Sequence, residues 1–570
     1  MDHQRFGFLC GSDIKRLVFI LGVSFGLVLV TQYFEFPSAT LLSIFSVFTN
    51  STAFFPTESS SNFELLGNNS LSNSSRNNVA VADSNVYEGS VNMSGLASNG
   101  TVIQGYVDQN TSLVLEKSRI SVNNGSVATE IAPVLLKNGS SEFLSNNDSP
   151  MANVSSTKKS KKPSTTVFSI AQMNDLLRQS HASSHSVRPL WPSEVDQQVI
   201  FARSQIENAY ASIVKDDTIL YAPIYRNISM FERSYELMEN MLKVYIYEEG
   251  EKPIFHQSLL EGIYASEGWF IKLMEDNKKF VTRDPKEAHL YYIPFSSRLL
   301  ELTLYVRHSH SRTNLIEYMK NYTDMISAKY SFWNRTGGSD HFVVACHDWA
   351  PAETRGHMLN CIRALCNADI DVGFRIGKDV SLPETYVRSA QNLQKNLDGN
   401  PPSQRPILAF FAGNVHGFVR PILLEYWENK DPDIKIFGPL PHEKGNRNYI
   451  EYMKSSKYCI CPRGHEVNSP RIVESVFYEC VPVIISDNYI PPFFEVLDWE
   501  SFAVFVSEKD IPDLKNILLS ISEQKYVEMY KRVKKVQQHF LWHTEPVKYD
   551  LFHMILHSVW YNRVFQTKLI

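Results

Sequence analysis

Basic side chains cluster in the turn between a predicted strand and the helix that follows it. Ser469 followed by Pro470 is a favourable N-cap and first-turn pair, so a helix is expected to begin there. Arg463, His465 and Arg471 would then surround the amino end of that helix. Because free backbone N–H groups at a helix start favour an anion, this turn predicts a binding site for a pyrophosphate.

A second strand-to-helix turn is bracketed by glycines. Gly413 and Gly417 permit close approach of the backbone, and His416 lies between them. Arg420, in the helix that follows, adds a permanent charge with forked donors. The start of this helix would also favour a diphosphate. Glycine turns of this kind are common, so this one carries less weight than the first.

One carboxylate lies close enough to the first turn to share its ligand. Glu474 lies one turn into the helix, where it can accept hydrogen bonds from both hydroxyls of a ribose. The alternative is an ordinary solvated helix face, and that alternative is favoured for Glu479.

A metal-binding pattern also occurs, in the triplet Asp369-Ile370-Asp371. We interpret it as the start of a strand over residues 371–376, far from the two turns. The similar triplet Asp431-Pro432-Asp433 is interpreted as a turn. No metal cofactor is therefore expected.

From about residue 195 onward, short apolar strands alternate with amphipathic helices, which predicts parallel sheets with helices on both faces. The strands are predicted at residues 243–248, 289–295, 341–347, 371–376, 407–412, 434–438, 458–461, 481–486 and 503–506. The helices include residues 234–242, 420–429, 448–455, 470–479 and 511–536.

Glycine and proline interrupt this alternation at residues 393–405, which we interpret as a linker. It separates an α/β domain at residues 195–392 from a second at 406–545, and a helical tail follows at 546–570. Open parallel sheets bind ligands beyond the carboxyl ends of their strands. Both turns described above have that position in the second domain.

The first 200 residues predict a membrane anchor and a stem. Lys15 and Arg16 precede an apolar run, so residues 17–34 are predicted to span a membrane, with a cytoplasmic tail at 1–16. A cleaved signal peptide is the alternative, but no small-residue cleavage site follows the run closely. Residues 35–194 are rich in Asn and Ser and are predicted to be a disordered luminal stem.

Glycosylation sequons agree with that orientation, although chance would produce several of them in an Asn/Ser-rich tract. They begin at Asn50, Asn68, Asn73, Asn92, Asn99, Asn110, Asn124, Asn138, Asn147, Asn153, Asn227, Asn321 and Asn334. The net charge of −5 argues against nucleic acid as a partner.

The cysteines after the predicted anchor permit disulfides without assigning them. Buried free thiols are the expectation for Cys459, Cys461 and Cys480, which lie in apolar surroundings.

The run from Phe410 to Pro492, with its GHEVNSPRIVES core and Asp487-Asn488, resembles the exostosin-like glycosyltransferases of family 47, particularly their plant members. The similarity covers about residues 230–565 and includes the segment from His347 to Pro351.

This resemblance implies a GT-B architecture, in which two Rossmann-like domains face a cleft. It also implies an inverting transfer from a UDP-sugar to a cell-wall polysaccharide or related glycan, in a Golgi membrane protein. Glu466 and Glu474 are eight residues apart, like the paired glutamates of many GT-B enzymes. Glu466 lies before the helix, where its side chain could face away from the ligand.

Inverting transfer needs a base that deprotonates the acceptor hydroxyl. His347 and Asp348 follow a predicted strand of the first domain, and Glu353 is a third candidate. The alternative is that Asp348 caps a turn and His347 orients it.

Three other classes of protein are alternatives. A non-catalytic glycan-binding or scaffolding subunit would retain the fold and support an active partner in a hetero-oligomer. A dehydrogenase is disfavoured because no G-x-G-x-x-G follows the first strand, and a hydrolase because there is no G-x-S-x-G.

Overall fold

The computed structural model describes residues 166–183, 189–209, 220–394, 397–441 and 445–567, all within one compact unit. The predicted cytoplasmic tail, membrane anchor and most of the stem lie outside the described residues, as do ten of the sequon asparagines. In the described ranges, no helix combines the length and the apolar character that a membrane span requires.

Eight helices and six strands form the first half of the described chain. The helices are α1 (Ile170–Ala182), α2 (Glu194–Glu207), α3 (Ile228–Met241), α4 (Ala265–Glu275), α5 (Ser297–Leu304), α6 (Thr313–Lys329), α7 (Ser331–Thr336) and α8 (Ala350–Glu353). The strands are β1 (Val244–Ile246), β2 (Val281–Thr282), β3 (Leu290–Tyr292), β4 (His341–Ala345), β5 (Ile362–Leu365) and β6 (Val380–Ser381). They form one parallel sheet in the order β2-β1-β3-β4-β5-β6.

A second parallel sheet follows. Its strands are β7 (Ile407–Ala412), β8 (Ile434–Phe437), β9 (Ser456–Pro462), β10 (Val481–Ile485) and β11 (Val504–Phe505), in the order β11-β10-β9-β7-β8. The helices are α9 (Val419–Trp427), α10 (Gly445–Ser455), α11 (Arg471–Phe477), α12 (Leu514–Leu519), α13 (Glu523–Val536) and α14 (Leu551–Gln566). Short 3₁₀ turns occupy Ala222–Ile224, Ile370–Val372, Pro402–Gln404, Trp499–Ser501, Glu508–Asp513 and Gln537–Phe540. The predicted α/β fold with parallel sheets is confirmed.

Helix α14 leaves the second half of the chain and packs on the first sheet. All its residues from Leu551 to Phe565 are buried. Asn562 Nδ2 donates to the carbonyl oxygens of Lys378 and Asp379, both at 3.2 Å, just before β6. The last of the described helices therefore covers the sheet that is built from the first half of the described chain.

The prediction of disorder up to residue 194 is wrong for its last part. Helix α1 begins with a capping box, in which Ser169 and Gln172 each bind the other's backbone N–H. Its residues Met173 and Leu177 are buried in the core. Phe168 N donates to Asn488 Oδ1 at 2.9 Å, which fastens the segment to the loop after β10.

A strand predicted at residues 371–376 is absent from the structure. Asp369 caps a 3₁₀ turn at Ile370–Val372 instead, and Gly373 has a φ of +94°, which ends any extended run. Strand β5 was missed because its buried Arg363 interrupts the apolar pattern. Arg363 donates to the buried carboxylate of Asp379, which permits its burial.

The helix predicted at residues 511–536 is three shorter elements. Pro512 keeps Glu508–Asp513 in a 3₁₀ turn, and residues 520–522 separate α12 from α13. Strands β2 and β6 were missed because each contains only two residues, too few for any pattern to register.

Two disulfides join neighbouring strands, one in each sheet. Cys346, after β4, is bonded to Cys366, after β5, and Cys459 in β9 is bonded to Cys480, next to β10. The expectation of free thiols is therefore wrong for Cys459 and Cys480, because the parallel pairing of β9 with β10 brings them together. Cys461 is free and buried, as expected.

Candidate active site

The strand order of the second sheet locates its ligand-binding crevice. From β7 the chain moves outward to β8 and then returns to β9 on the other side of β7. In open α/β sheets, ligands bind beyond the carboxyl ends of the strands at such a reversal. The two turns singled out in the sequence follow β7 and β9, so both border this crevice.

The carboxyl edges of the two sheets face each other. Ile370 N donates to Asn488 O at 3.1 Å, and Ile490 N donates to Ala368 O at 3.0 Å. Asn468 Nδ2 adds a bond of 2.7 Å to the carbonyl oxygen of Cys366. Side chains that follow strands in either sheet therefore meet in one place, which we name the inter-sheet site.

Arg471 lies directly on the glycine turn after β7. Its Nε and Nη2 donate to Ala412 O at 3.2 and 2.9 Å, and Nη1 lies 3.3 Å from Ser469 Oγ. A Cβ atom on Gly413 would lie 2.0 Å from Arg471 Nη2, so only glycine leaves room for the guanidinium. The turn and the arginine thus form one unit.

Gly417 brings the turns after β7 and β9 into contact. It has a φ of +72°, and a Cβ atom there would lie 1.9 Å from the carbonyl oxygen of Gly464. Gly464 in turn lies under Arg420, because its own Cβ would be 2.9 Å from Arg420 Nη2.

We expect Gly417→Ala to lower the free energy of unfolding by at least about 2 kcal/mol, in the range of the larger single-residue effects. Gly356 is the matched control, since its φ is +78° and nothing lies within 4 Å of a Cβ there. Gly356→Ala should cost only the left-handed backbone penalty, about 1 kcal/mol. Urea denaturation measures both losses, and equal losses would show that the two turns can move apart.

Three arginines converge at the crevice. Arg420 Nη1 donates to Asn414 O at 3.1 Å, and Arg463 lies 3.6 Å from Asp369 and 3.4 Å from Glu508. Within the described part of the chain, the Nε atoms of Arg420 and Arg463 have no hydrogen-bond partner. Burial and the neighbouring Arg471 lower the pKa of Arg420 to about 10, which indicates a site crowded with positive charge. A bound anion would reduce the repulsion between these charges.

Two histidines stand at the exposed end of this cluster. The rings of His416 and His465 are nearly perpendicular, with centroids 5.0 Å apart. Partial burial, then His465 and Arg420, lower the pKa of His416, so it is neutral at neutral pH. The structure therefore brings together all the basic residues predicted for the donor site.

Glu474 is buried and bound to protein groups. Arg388 Nη2 and the Tyr449 hydroxyl donate to its two oxygens, both at 2.8 Å. Arg388 belongs to the segment after β6, so this ion pair joins the two halves. Sequence reasoning missed both partners, since neither lies in a recognisable motif.

Glu466 turns toward the first sheet. Its Oε2 accepts a bond of 2.6 Å from Asn367 Nδ2, in the segment after β5. Burial first, and then Asp348, raise the pKa of its carboxyl. Glu479 differs from the expected solvated position, because it is buried and accepts from Tyr530 at 2.6 Å and Lys534 at 2.7 Å.

The D-x-D triplet lies close to the basic cluster, contrary to the interpretation from sequence. Asp369 is 3.6 Å from Arg463, and its Oδ1 accepts from Asp371 N at 2.8 Å. Asp371 Oδ1 accepts from Asn488 at 3.0 Å. Both carboxylates are thus used by protein groups, and among the described residues no group of three His, Cys, Asp or Glu side chains is arranged to hold a metal ion.

The three candidate bases have different environments at the carboxyl edge of the first sheet. His347 is buried, and its Nδ1 accepts from Trp349 N at 3.3 Å. Burial, then Arg298 and Arg312, lower its pKa to about 3. Glu353 is fully buried against Ser297, and burial raises its pKa to about 8.

Asp348 is only half-buried and lies nearest the basic cluster. Burial raises the pKa of its carboxyl, while a hydrogen bond from Tyr264 and the nearby His465 oppose that rise. His465 belongs to the turn after β9, so Asp348 faces the second sheet across the inter-sheet site. The three candidates are therefore not equivalent, and Asp348 is the most exposed of them.

Three comparisons with known proteins bear on this site. Residues 238–521 match the exostosin GT47 domain. An Arabidopsis thaliana protein named as a probable glycosyltransferase is 46% identical over 64% of this chain and 70% of its own length. Another Arabidopsis protein, named as a probable beta-1,4-xylosyltransferase, is 28% identical over 56% of this chain and 81% of its own.

Among solved structures, the Anabaena protein HepE in complex with UDP-glucose is similar over 56% of this chain and 98% of its own, at 10% identity and a TM-score of 0.27.

Proposed function

Because the chain belongs to the exostosin GT47 family of glycosyltransferases, we propose that it transfers a sugar from a UDP-sugar to a cell-wall polysaccharide or related glycan, with inversion. The two sheets would correspond to the two Rossmann-like domains of a GT-B enzyme, with the acceptor on the side of the first sheet.

One observation carries the proposal. Arg420, Arg463 and Arg471 converge at the strand-order reversal of the second sheet, and among the described residues the Nε atoms of Arg420 and Arg463 have no partner. A UDP diphosphate there would accept those donors, and Glu474, one turn into α11, would bind the ribose hydroxyls. Glu474 would exchange its present bonds to Arg388 and Tyr449 for those hydroxyls.

We assign the base to Asp348. His347 is too weak a base with a pKa of about 3, and Glu353 is fully buried against Ser297, where burial raises its pKa to about 8. Asp348 would take the proton of the acceptor hydroxyl as the oxygen attacks the anomeric carbon, while the bond from that carbon to UDP breaks. The three guanidinium groups would stabilise the charge on the departing UDP.

These arginines supply the charge that a metal ion provides in other transferases, so we propose a metal-independent reaction. Turnover should be unchanged by excess EDTA. A loss of turnover that manganese restores would contradict this part of the proposal.

We further propose a single-pass Golgi membrane protein with its catalytic part in the lumen. Two disulfides fit an oxidising compartment, and the sequon residues Asn227, Asn321 and Asn334 are exposed. Glycosidase treatment should increase the electrophoretic mobility of the full chain. Digestion of the catalytic part by protease added outside intact vesicles would contradict the orientation.

Incubating the purified protein with a panel of UDP-sugars, and following donor hydrolysis, tests the activity. We expect turnover of at least one donor by the wild-type chain and loss of that turnover in Glu474→Ala. Glu425→Gln, an exposed carboxylate on α9, is the control and should be fully active. An absence of UDP binding in calorimetry, with Glu474 intact, would favour the non-catalytic scaffold.

A further inference from the structure

The segment that follows β6 is fixed on both sides of Glu384. Ser266 Oγ donates to Pro383 O at 2.8 Å and lies 2.8 Å from Thr385 Oγ1. Trp542 Nε1 donates to the same Thr385 hydroxyl at 3.0 Å. The residues on either side of Glu384 are therefore held by buried groups.

Glu384 is buried without a polar partner. Only 5% of the residue is exposed, and among the described residues no hydrogen bond or ion pair engages its carboxyl group. A buried carboxyl that binds nothing is costly, and the other buried carboxyls of the site each have a donor. Glu474, for example, has Arg388 and Tyr449.

The charged groups that influence Glu384 come from both sheets. After burial, Asp348 is the largest cause of a pKa well above the ordinary value, and Arg471 and Arg420 oppose it. Glu474 adds a smaller contribution of the same sign as Asp348. Four residues further on, Arg388 donates to Glu474 at 2.8 Å. The segment that carries Glu384 therefore lies at the inter-sheet site, next to the carboxylate assigned to the ribose.

We propose that Glu384 binds hydroxyl groups of the transferred sugar, a hexosyl or pentosyl group with free hydroxyls. This inference rests on the proposed function. The sugar is attached to the diphosphate at Arg420 and Arg471, and its anomeric carbon must be reached by the hydroxyl that Asp348 deprotonates. The sugar must therefore occupy the space bounded by these residues, and Glu384 lies in the segment that borders this space. A protonated carboxyl can donate one hydrogen bond and accept another.

A double-mutant cycle on enzyme and donor tests the contact. The donors are the UDP-sugar that the wild-type protein turns over fastest and its monodeoxy analogues. We expect removal of one particular hydroxyl to lower kcat/KM of the wild type by at least about 10²-fold, because a group built to bind a hydroxyl is left unpaired. In Glu384→Met, which keeps the side-chain length without polar atoms, the same removal should cost less than about threefold.

Two further variants separate a sugar contact from a structural role. Glu384→Gln can still donate and accept, so its kcat/KM for the full donor should stay within about tenfold of wild type. Glu384→Ala tests the same coupling if the methionine variant does not fold. The dissociation constant of UDP alone should be unchanged in all three, as in the Glu425→Gln control.

Each outcome decides a separate claim. If the fold-losses in kcat/KM caused by the deoxy donor and by the Glu384 variant multiply in the combination, Glu384 does not contact the sugar. The inference then fails while the proposed function stands. If the wild-type protein turns over no UDP-sugar, the proposed function fails and the inference fails with it.

Discussion

Arg471→Ala is expected to raise the dissociation constant of UDP by at least about 100-fold, as measured by calorimetry. Hydrogen bonds from a guanidinium to a phosphate are charge-assisted and roughly twice as strong as neutral ones, and Arg471 presents a complete guanidinium. It also holds the glycine turn after β7 through two hydrogen bonds to Ala412 O, so its removal loosens that turn. Arg471→Lys should rescue little, since an ammonium cannot reproduce this two-pronged contact.

Arg283→Ala is the control for charge alone, because Arg283 is exposed and lies outside the inter-sheet site. It should leave UDP affinity within about twofold of wild type. If Arg471→Ala binds UDP as tightly as the control does, the diphosphate does not bind at the turns after β7 and β9.

Asp348→Asn is expected to lower kcat for transfer by about 10³-fold while UDP binds with unchanged affinity. General base catalysis contributes roughly 10²–10⁴-fold, and the amide cannot accept the proton of the acceptor hydroxyl. Asp276→Asn, at the exposed end of α4, is the matched control and should be fully active. An equal loss of transfer in His347→Gln or Glu353→Gln, with Asp348→Asn still active, would move the base to that residue.

The pH profile gives an independent measure of the same group. The pKa of Asp348 is raised by burial, and the reactive form is the carboxylate. The rate should therefore fall as pH decreases through a value above the ordinary aspartate pKa of about 3.9. That acid limb should be absent from the residual activity of Asp348→Asn.

The grouping of the basic residues at the proposed donor site could be predicted from sequence because they lie close together in the chain. Arg463 and Arg471 flank one helix start, and Gly413 and Arg420 flank another, so local rules for caps and glycine turns were sufficient. The resemblance to the exostosin family, read from the same segment, is confirmed.

The rest of the site depends on contacts between distant segments, which local patterns do not reveal. Glu384 follows β6, a strand of two residues, and the electrostatic influence of Arg471 on it comes from the facing of the two sheets. The same facing places Asp369 beside Arg463, although the two residues seemed remote along the chain. Local sequence patterns show where strands end. They do not show which of the loops after those strands meet in the folded protein.

The position of α14 has a consequence for biosynthesis. Its residues from Leu551 to Phe565 are buried, and they cover a sheet whose last strand ends at Ser381. About 170 residues separate the end of β6 from the start of α14. During translation, the first sheet is therefore synthesised well before the helix that covers it. Until then its apolar face is open to chaperones, and a nascent chain halted short of α14 would retain that face as a signal for degradation.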